Sequence, residues 1–392
     1  MKIVHIVVVG PYTEGMTYQE NLLPQCQVQQ GHEVIVIANC TMWQKSRVVN
    51  TEAEDTYLEN GIRLIRLPFV RIGNAYLTEK LRFIRGLYDK LKEEKPKLIY
   101  LHDFETGAVF QIRKYLNDNP ETALVIDSHV SAVNSAQSTI SRVFLHKMIY
   151  RSFGRKIYRY ARKIYYVGED EKHFLLDIYR FPEDKLQLLP LGGIILAEAD
   201  YLAVREEVRK RYKMQKARIC MVHSGKLDPP KKTQDLLEAY INRTNKDSSE
   251  LYIVGDTEDK VYKRKILDLI EQDESIHYLG WKSGDELKSL LCAADVYIQP
   301  GTPSATLQTA MCCRCGILAK SYPLYKELFS GRGMLFSKDE ELQVDIDCLC
   351  ADPSLITRLR ETCFQIAQRE LDYSLQSERI IQDAFCKTNS ES

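Results

Sequence analysis

The sequence has no excess of either charge and no long apolar run. Lysine plus arginine and aspartate plus glutamate both number 54, so the formal net charge is zero. A basic excess is the usual electrostatic footprint of nucleic-acid binding, and its absence argues against nucleic acid as a partner. No apolar run reaches the roughly 18 residues that a transmembrane helix needs. The N-terminus reads as a strand and not as a signal peptide, so we expect a cytoplasmic protein.

The cysteines lack the spacing of a disulfide framework or a zinc site. Their number, 11, is odd, and they are scattered over 392 residues, which favours reduced thiols. Cys312 and Cys315 have Cys-x-x-Cys spacing, but no second pair or nearby histidine completes four ligands. We expect small, buried, apolar thiols here and no zinc.

The length of the chain suits two domains of about 150 to 200 residues each, and its 44% hydrophobic content is ordinary for packed cores. Short apolar runs alternate with helical patterns, which predicts parallel, doubly wound sheets of the α/β class. In the first half of the chain, strands are predicted at residues 2–9, 34–38, 62–67, 98–101, 123–127, 164–167 and 186–189.

Residues 219–319 carry the strongest pattern for a binding site. Several short apolar strands run into a glycine, a cation or a helix start, which is how parallel sheets place binding groups at the carboxyl ends of their strands. Gly225-Lys226 and Gly255 end two of these strands, and Lys232 follows six residues after Lys226. Ser304 and Thr306 flank the start of a helix predicted from about residue 305, where hydroxyls and free amides suit an anion.

Two interpretations of the lysines are open. Lys226, Lys231 and Lys232 form either a solvated basic loop or a pair of cations that converge on a diphosphate. The order of matching strand ends favours the diphosphate site. The second cation is assigned to Lys232, with Lys231 as the alternative because the register is open by one residue.

Chemistry-capable side chains also follow two strands of the first half. His102, Asp103 and Glu105 come after one strand, and His129 comes after the next. A histidine at a strand end is either a structural residue or a functional one. We assign an acceptor-binding role to the first three residues as a hypothesis.

Residues 139–163 contain no acidic residue and interleave cations with aromatic and aliphatic side chains. A helical face with this pattern suits anionic lipid headgroups, and Arg151, Arg155, Arg159 and Arg162 are its arginines after residue 150. The alternative is an ordinary helix packed on its own sheet.

In their order along the chain, these motifs resemble the retaining GT-B glycosyltransferases of family 4. The resemblance covers nearly the whole chain and implies two Rossmann-like domains that face each other across a cleft. It implies an N-terminal acceptor-side domain over residues 1–193 and a donor-binding domain over 194–370. Residues 371–392 would form a helix that packs back on the first domain, followed by a polar tail.

The resemblance also implies roles for single residues. Lys226 stands where the family has an arginine on the donor diphosphate, Gly15 matches a loop glycine near that diphosphate, and His129 matches a histidine on the donor sugar. The family's two glutamates are absent, because Gly301 and Thr309 occupy their positions. Gln308 and Thr309 are then the candidates for hydrogen bonds to the ribose.

We therefore expect a metal-free, cofactor-free hexosyltransferase. It would move a sugar from a nucleotide diphosphate to a saccharide or lipid-linked acceptor of the cell envelope or capsule, at the inner face of the membrane. Two alternatives stay open. One is a nucleotide-sugar 2-epimerase of the same fold, and the other is a catalytically silent partner subunit, which the missing glutamates suggest.

Overall fold

The computed structural model describes residues 1–44, 47–130 and 141–385. The chain divides into two compact units. Unit 1 comprises Met1–Pro190 together with the C-terminal residues from Tyr373, and unit 2 comprises Leu191–Asp372. Each unit is built on its own mainly parallel sheet.

Unit 1 is organised around an eight-stranded sheet. The strands of unit 1 are β1 (Lys2–Val7), β2 (Glu33–Asn39), β3 (Thr41–Gln44), β4 (Arg47–Asn50), β5 (Glu54–Tyr57), β6 (Arg63–Leu67), β7 (Leu98–His102), β8 (Ala123–Ser128), β9 (Ala161–Tyr166) and β10 (Leu186–Leu188). Of these, β3 and β4 form a separate antiparallel pair, and the other eight form the large sheet. The strand order in the large sheet is β10-β9-β8-β7-β1-β2-β6-β5, and only β5 runs antiparallel to its neighbour. The central strands are apolar along their length because helices cover both faces of a parallel sheet.

The helices of unit 1 before residue 190 are α1 (Gln19–Gln29), α2 (Ala75–Leu81), α3 (Leu87–Glu94), α4 (Ala108–Asp118), α5 (Arg151–Ile157) and α6 (Glu169–Phe174). Two π-helical segments, Ser141–Tyr150 and Leu175–Tyr179, and a 3₁₀ turn, Glu183–Lys185, complete the set. The main core lies between the sheet and these helices, and Phe104, Ile112 and Ile164 are among its fully buried members.

Unit 2 has a six-stranded, all-parallel sheet in the order β13-β12-β11-β14-β15-β16. Its strands are β11 (Ile219–Lys226), β12 (Ser249–Asp256), β13 (Ile276–Gly280), β14 (Val296–Gln299), β15 (Gly316–Lys320) and β16 (Met334–Phe336). Its helices are α7 (Glu198–Arg211), α8 (Thr233–Ile241), α9 (Lys260–Ile270), α10 (Gly284–Ala293), α11 (Thr306–Cys312), α12 (Pro323–Phe329), α13 (Glu341–Ala351) and α14 (Pro353–Ile366), with a 3₁₀ turn, Pro229–Lys231, and a π-helical segment, Ala367–Leu371. Two hydrophobic clusters fill this unit.

The last helix, α15 (Tyr373–Phe385), belongs to unit 1. Gln30, just after α1, donates a hydrogen bond to the carbonyl of Ser374 at 2.9 Å. Tyr165 on β9 donates to Asp383 at 2.8 Å. The final helix is therefore fixed to the first helix and to the sheet of unit 1.

The seven strands predicted for the first half of the chain agree with the structure within three residues at each end, whereas β3, β4 and β5 were not predicted. The prediction for residues 139–163 needs correction, because this stretch is not one helix. The described part is helical over 141–157, and β9 begins at Ala161, so Arg162 lies on a strand. Tyr150, Phe153 and Ile157 pack into the core.

The cations of this stretch differ in exposure. Arg151 is half-buried, whereas Arg155, Lys156, Arg159 and Arg162 are exposed. We call these four residues the basic surface. Among the described residues, no helix has both the length and the apolar character needed to span a membrane.

Candidate active site

The carboxyl edge of the unit 1 sheet brings three predicted residues together. His102 ends β7 and is paired in register with Asp127 on β8, so both side chains reach the same edge. His129 follows β8 directly. Asp103 adopts a left-handed backbone conformation with φ of 58° immediately after β7, and its Oδ1 accepts the backbone N–H of His129 at 2.9 Å.

Asp127 is the centre of this cluster. The carboxylate is fully buried, and its Oδ2 lies 2.9 Å from Nδ1 of His102 and 3.4 Å from Nε2 of His129. The backbone N–H of Asp103 donates to its Oδ1 at 3.1 Å. His129 is the more open of the two histidines, with 29% of its side chain exposed.

The pKa values of Asp127 and His129 are shifted in opposite directions. Burial alone would raise the pKa of Asp127, but the adjacent imidazoles of His102 and His129 hold it below its usual range. Burial opposes the charged form of His129, yet Asp127 and then Asp103 raise its pKa to about 10. Asp127 is therefore ionised and His129 is a cation at neutral pH.

Glu105 lies in a different contact network from the histidines. Its Oε1 accepts a hydrogen bond from Tyr179 at 2.8 Å, and the same hydroxyl lies 2.6 Å from Nδ1 of His146. Burial, followed by the charge of Asp103, raises the pKa of Glu105. The three acceptor-side candidates therefore separate into His102 and Asp103 beside His129, and Glu105 in a more deeply buried group.

Gly15, the predicted loop glycine, lies between β1 and α1 with φ of 71°. A Cβ at this position would have nothing within 4 Å. Glycine is required there by the backbone conformation and not by the space around it.

In unit 2, the predicted glycines and Lys226 line the carboxyl edge of the sheet. Gly225 and Gly255 are register partners on β11 and β12, with φ of 141° and 133°. A Cβ on Gly255 would lie 1.8 Å from the carbonyl oxygen of Gly225. Both strand ends therefore need glycine, and Lys226 follows as an exposed cation at the end of β11.

The two consecutive lysines point to different partners. The ammonium of Lys231 donates to the carbonyls of Thr302 at 3.0 Å and Pro303 at 2.9 Å. Burial lowers the pKa of Lys231. Lys232 has a left-handed backbone conformation and forms ion pairs with Asp339 and, at 3.5 Å, with Asp235.

The loop before α11 packs tightly against the lysine turn. A Cβ on Gly301 would lie 2.2 Å from the carbonyl oxygen of Pro230, and Thr302 donates its amide to that same oxygen at 3.0 Å. The position of the family's first glutamate is thus occupied by a residue whose backbone contact leaves no room for a side chain.

The expectation of free amides at the start of α11 is wrong for two of them. The Ser304 amide donates to the Tyr325 hydroxyl at 3.2 Å, and the Thr306 amide donates to Ser304 Oγ at 3.3 Å. The hydroxyls of Ser304 and Thr306 bond to each other at 3.1 Å. Gln308 is buried, whereas Thr309 is half-buried and its hydroxyl donates to the carbonyl of Ala305.

Among the described residues, one group has a spacing that would fit a metal ion. His102, Asp127 and His129 present ligand atoms that all lie within 4.8 Å of one another. Two ligands of a tetrahedral zinc at about 2.0–2.1 Å would be about 3.3 Å apart, whereas Nδ1 of His102 and Oδ2 of Asp127 form an ion-pair contact at 2.9 Å. We interpret the group as an ion-pair network.

Sequence reasoning missed several members of these clusters. His5 and Gln27 extend the unit 1 network, and Asp339 connects Lys232 with Lys320 in unit 2. His5 had a signal, because it interrupts the otherwise apolar strand β1. Asp339 had none, since it lies 107 positions from Lys232 in sequence.

Both parts of the chain match glycosyltransferase families. Residues 15–192 match the "Glycosyl transferase 4-like domain", and residues 204–363 match "Glycosyl transferases group 1". The chain is a GT-B glycosyltransferase of the family 4 type. An uncharacterized glycosyltransferase of Methanocaldococcus jannaschii is 23% identical over 276 residues, which are 70% of this chain and 67% of the relative.

Solved structures show the same fold as this glycosyltransferase. Sucrose-phosphate synthase of Thermosynechococcus elongatus superimposes with a TM-score of 0.68 at 15% identity, over 98% of this chain and 99% of that one. Anabaena HepE, solved in complex with UDP-glucose, gives 0.64 at 14% identity, over 97% and 98%. These likenesses agree with the GT-B fold expected from the sequence, with two Rossmann-like α/β units.

Proposed function

We propose that this glycosyltransferase moves a hexosyl group from a nucleotide diphosphate sugar to a hydroxyl acceptor, with retention and without a metal or other cofactor. The observation that carries the proposal is the carboxyl edge of the unit 2 sheet, where two obligatory glycines and the cation Lys226 lie at the ends of adjacent strands. The glycines leave backbone accessible, and the cation suits a diphosphate. The UDP-glucose complex of HepE supports the donor class.

In the proposed reaction, the bond between the anomeric carbon and the diphosphate breaks while the acceptor oxygen bonds to that carbon on the same face. The diphosphate leaves with additional negative charge, which Lys226 and a second lysine stabilise. The acceptor proton passes to an oxygen of the departing phosphate. His129, held as a cation by Asp127, is assigned to the donor sugar.

For the second cation, the contacts favour Lys231 over Lys232. Lys231 reaches the loop that carries Ser304, while the ammonium of Lys232 is neutralised by Asp339. Gly255, Ser304 and Thr306 are the other residues proposed to bind the diphosphate. Thr309 or Gln308 is proposed to bind the ribose. Gly15 of unit 1 keeps its proposed place near the diphosphate.

We assign the acceptor to saccharides or lipid-linked saccharides of the cell envelope or capsule. The basic surface supports this assignment, because its four exposed cations suit an anionic headgroup at the cytoplasmic face of a membrane. Arg159 and Arg162 also line a shallow pocket of about 340 Å³ together with Tyr160. His102, Asp103 and Glu105 remain the proposed acceptor-side residues.

The deciding experiment is an assay of the purified protein with a panel of UDP-, GDP- and ADP-sugars. Release of the nucleoside diphosphate, together with a transferred sugar whose anomeric configuration is retained by NMR, is the expected result. Binding of the nucleotide sugar without release of the nucleoside diphosphate under any condition would identify a catalytically silent subunit. The replacement of both family glutamates by Gly301 and Thr309 is the observation in favour of that alternative.

A second candidate activity is favoured by one observation. The cluster of His102, Asp103, Asp127 and His129 supplies the acidic and histidine groups that a nucleotide-sugar 2-epimerase needs. The same donor panel separates the two activities, because an epimerase would convert UDP-N-acetylglucosamine without an acceptor.

A further inference from the structure

A continuous line of polar contacts runs from helix α1 to the carboxyl end of β8. Gln27 Oε1 lies 2.7 Å from Nε2 of His5, and Nδ1 of His5 lies 2.9 Å from Nε2 of His102. Nδ1 of His102 contacts Asp127, which contacts His129. We call these five side chains the histidine chain.

Only one end of the histidine chain reaches solvent. Gln27, His5 and Asp127 are completely buried, and His102 is 5% exposed, whereas 29% of the His129 side chain is exposed. Gln27, His5 and His102 are therefore much less accessible to a ligand than His129 is. Any effect they have on the reaction passes through Asp127 and His129.

The contacts fix the direction of the two hydrogen bonds that His5 makes. The Gln27 oxygen is an acceptor only, so Nε2 of His5 donates to it. Burial lowers the pKa of His5 to about 3, so His5 is neutral and has one N–H to donate. Its Nδ1 is therefore an acceptor, and Nε2 of His102 must be the donor across the 2.9 Å contact.

The other nitrogen of His102 must also carry a proton. Nδ1 lies 2.9 Å from a buried carboxylate oxygen of Asp127, a distance at which two lone pairs would repel each other. His102 therefore donates from both nitrogens, which makes it an imidazolium. With His129, it balances the two carboxylates of Asp103 and Asp127 in a buried site, as burial of charge requires.

Aromatic contacts hold the rings of the histidine chain in place. Tyr100 stacks on His5 with 5.1 Å between ring centroids and lies 4.5 Å from the His102 ring. His5 and His102 are themselves stacked at 5.2 Å. Rotation of the His5 or His102 ring, which would exchange its two nitrogens, is thus opposed by packing as well as by hydrogen bonds.

We infer that Gln27, His5 and His102 are positioning residues that set the orientation and charge of the Asp127–His129 pair, with His102 protonated on both nitrogens. The inference deepens the proposed function and rests on it for the catalytic consequence alone. The charge state itself is a property of the folded protein and is testable without any substrate.

The first arm of the test is NMR of the full-length protein with ¹⁵N-labelled histidines in the presence of EDTA. The ring signals of the eight histidines are assigned with His5→Phe and His102→Gln variants. At pH 7.5, His102 is expected to be protonated on both nitrogens and His5 on Nε2 only. A neutral His102 whose Nε2 accepts would overturn the inference, as would a His102 spectrum that changes when EDTA is omitted, since a metal would then occupy Nδ1.

A matched pair of variants tests the direction of the chain. Gln27→Met removes the acceptor opposite His5 at similar size, and Gln29→Met makes the same substitution at an exposed position of α1. At pH 7.5, Gln27→Met is expected to change the ring signals of His5, His102 and His129, whereas Gln29→Met should leave them as in the wild type. Unchanged ring signals in Gln27→Met, with the fold intact by circular dichroism, would overturn the positioning role.

The second arm measures turnover with a soluble donor. Gln27→Met is expected to lower kcat about tenfold with little change in KM, the lower end of the loss found when the orienting partners of metal-ligating histidines are removed, and Gln29→Met should stay near the wild type. If no form of the protein turns over any donor, the proposed function fails while the NMR result still decides the charge state. Wild-type kcat in Gln27→Met would overturn the catalytic part of the inference.

Discussion

At the scale of single residues, the adjacent lysines 231 and 232 give opposite expectations. Removing Lys226 or Lys231 should lower kcat by about 10²-fold, because each would stabilise charge that develops on the leaving diphosphate. Lys232→Ala should have a much smaller effect, since the Lys232 ammonium is held by Asp339 and Asp235. Steady-state kinetics of the three alanine variants check this, and a Lys232→Ala loss as large as that of Lys231→Ala would return the second cation to Lys232.

The two positions of the missing glutamates should respond differently to substitution. Thr309→Glu should be tolerated at this half-buried position and should tighten nucleotide binding up to about fivefold, because a carboxylate is a stronger acceptor for ribose hydroxyls than a hydroxyl. Thr309→Gln, of equal length without charge, is the control. Calorimetric titration gives the dissociation constants, and loss of binding in a folded Thr309→Glu protein would show that α11 faces the ligand differently.

Gly301→Ala should destabilise the protein by about 1–3 kcal/mol, the usual cost of overpacking. The reason is the 2.2 Å approach of its Cβ to the Pro230 carbonyl. Urea unfolding measures the change, and Gly10→Ala is the matched comparison because a Cβ there meets no atom within 4 Å and Gly10 is not in the left-handed region. An unchanged midpoint for Gly301→Ala would mean that the lysine turn moves away without cost.

The charge on His129 predicts how stability depends on pH. Its folded-state pKa of about 10 lies above the ordinary value of 6.5, so the native protein holds a proton that the unfolded chain releases between these values. The stabilisation is complete below about pH 6.5 and is lost as pH rises through 10, with a slope of at most about 1.4 kcal/mol per pH unit. Urea unfolding at several pH values should show this slope in the wild type and a smaller one in His129→Gln. Equal slopes would mean that His129 is not a native-state cation.

At the scale of elements, the buried parallel strands were predictable and their lateral contacts were not. Buried parallel strands are continuous apolar runs, so β7 and β8 could be found from Leu98 and Ala123 onward without knowledge of their neighbours. The same hydropathy missed the hairpin of β3 and β4 and the exposed strand β5, whose residues show little apolar pattern.

The residues of the candidate site show the same difference between what a local pattern predicts and what packing decides. Residues at or just after the end of a strand, such as Lys226 and His129, were identifiable because the carboxyl ends of parallel strands meet at one edge of the sheet, where ligands bind. Partners such as Gln27 come from a separate helix, and their contact depends on packing that no local pattern encodes.

The basic surface also belongs to this scale, because its cations come from α5, the following turn and β9. Reversing Arg155, Arg159 and Arg162 to Glu should abolish binding to phosphatidylserine vesicles, since each cation near an anionic surface contributes about 1 kcal/mol. Wild-type binding should weaken with salt, because exposed charges are screened over about 8 Å at physiological ionic strength. Vesicle co-sedimentation measures both effects.

The matched control reverses Arg71, Lys92 and Lys97, which are exposed cations elsewhere on unit 1. This control has the same change in net charge and should retain vesicle binding. Equal loss in both triple variants would assign the effect to net charge alone, and absence of wild-type binding would remove the support for a lipid-linked acceptor.

At the scale of the whole molecule, the two units have separate sheets and cores, and the chain offers one tryptophan in each. Trp43 lies on β3 of unit 1, and Trp281 follows β13 of unit 2 with 66% of its surface exposed. These are the two tryptophans of the sequence. Trp281→Phe therefore leaves a fluorescent reporter in unit 1, and Trp43→Phe leaves one in unit 2.

A nucleoside diphosphate should stabilise unit 2 first, because Lys226, Gly255 and the loop before α11 all belong to that unit. Ligand at 100 times its dissociation constant adds about 2.7 kcal/mol to the free energy of unfolding, which corresponds to a rise of roughly 5–10 °C for a domain of this size. Thermal unfolding of Trp43→Phe with UDP, GDP and ADP should show this rise for the preferred base, and the matching nucleoside without phosphates should give much less. The Trp281→Phe protein should show an equal rise only if the two units unfold together. A midpoint that rises in the Trp281→Phe protein alone would place the nucleotide in unit 1 and contradict the assignment of the donor site.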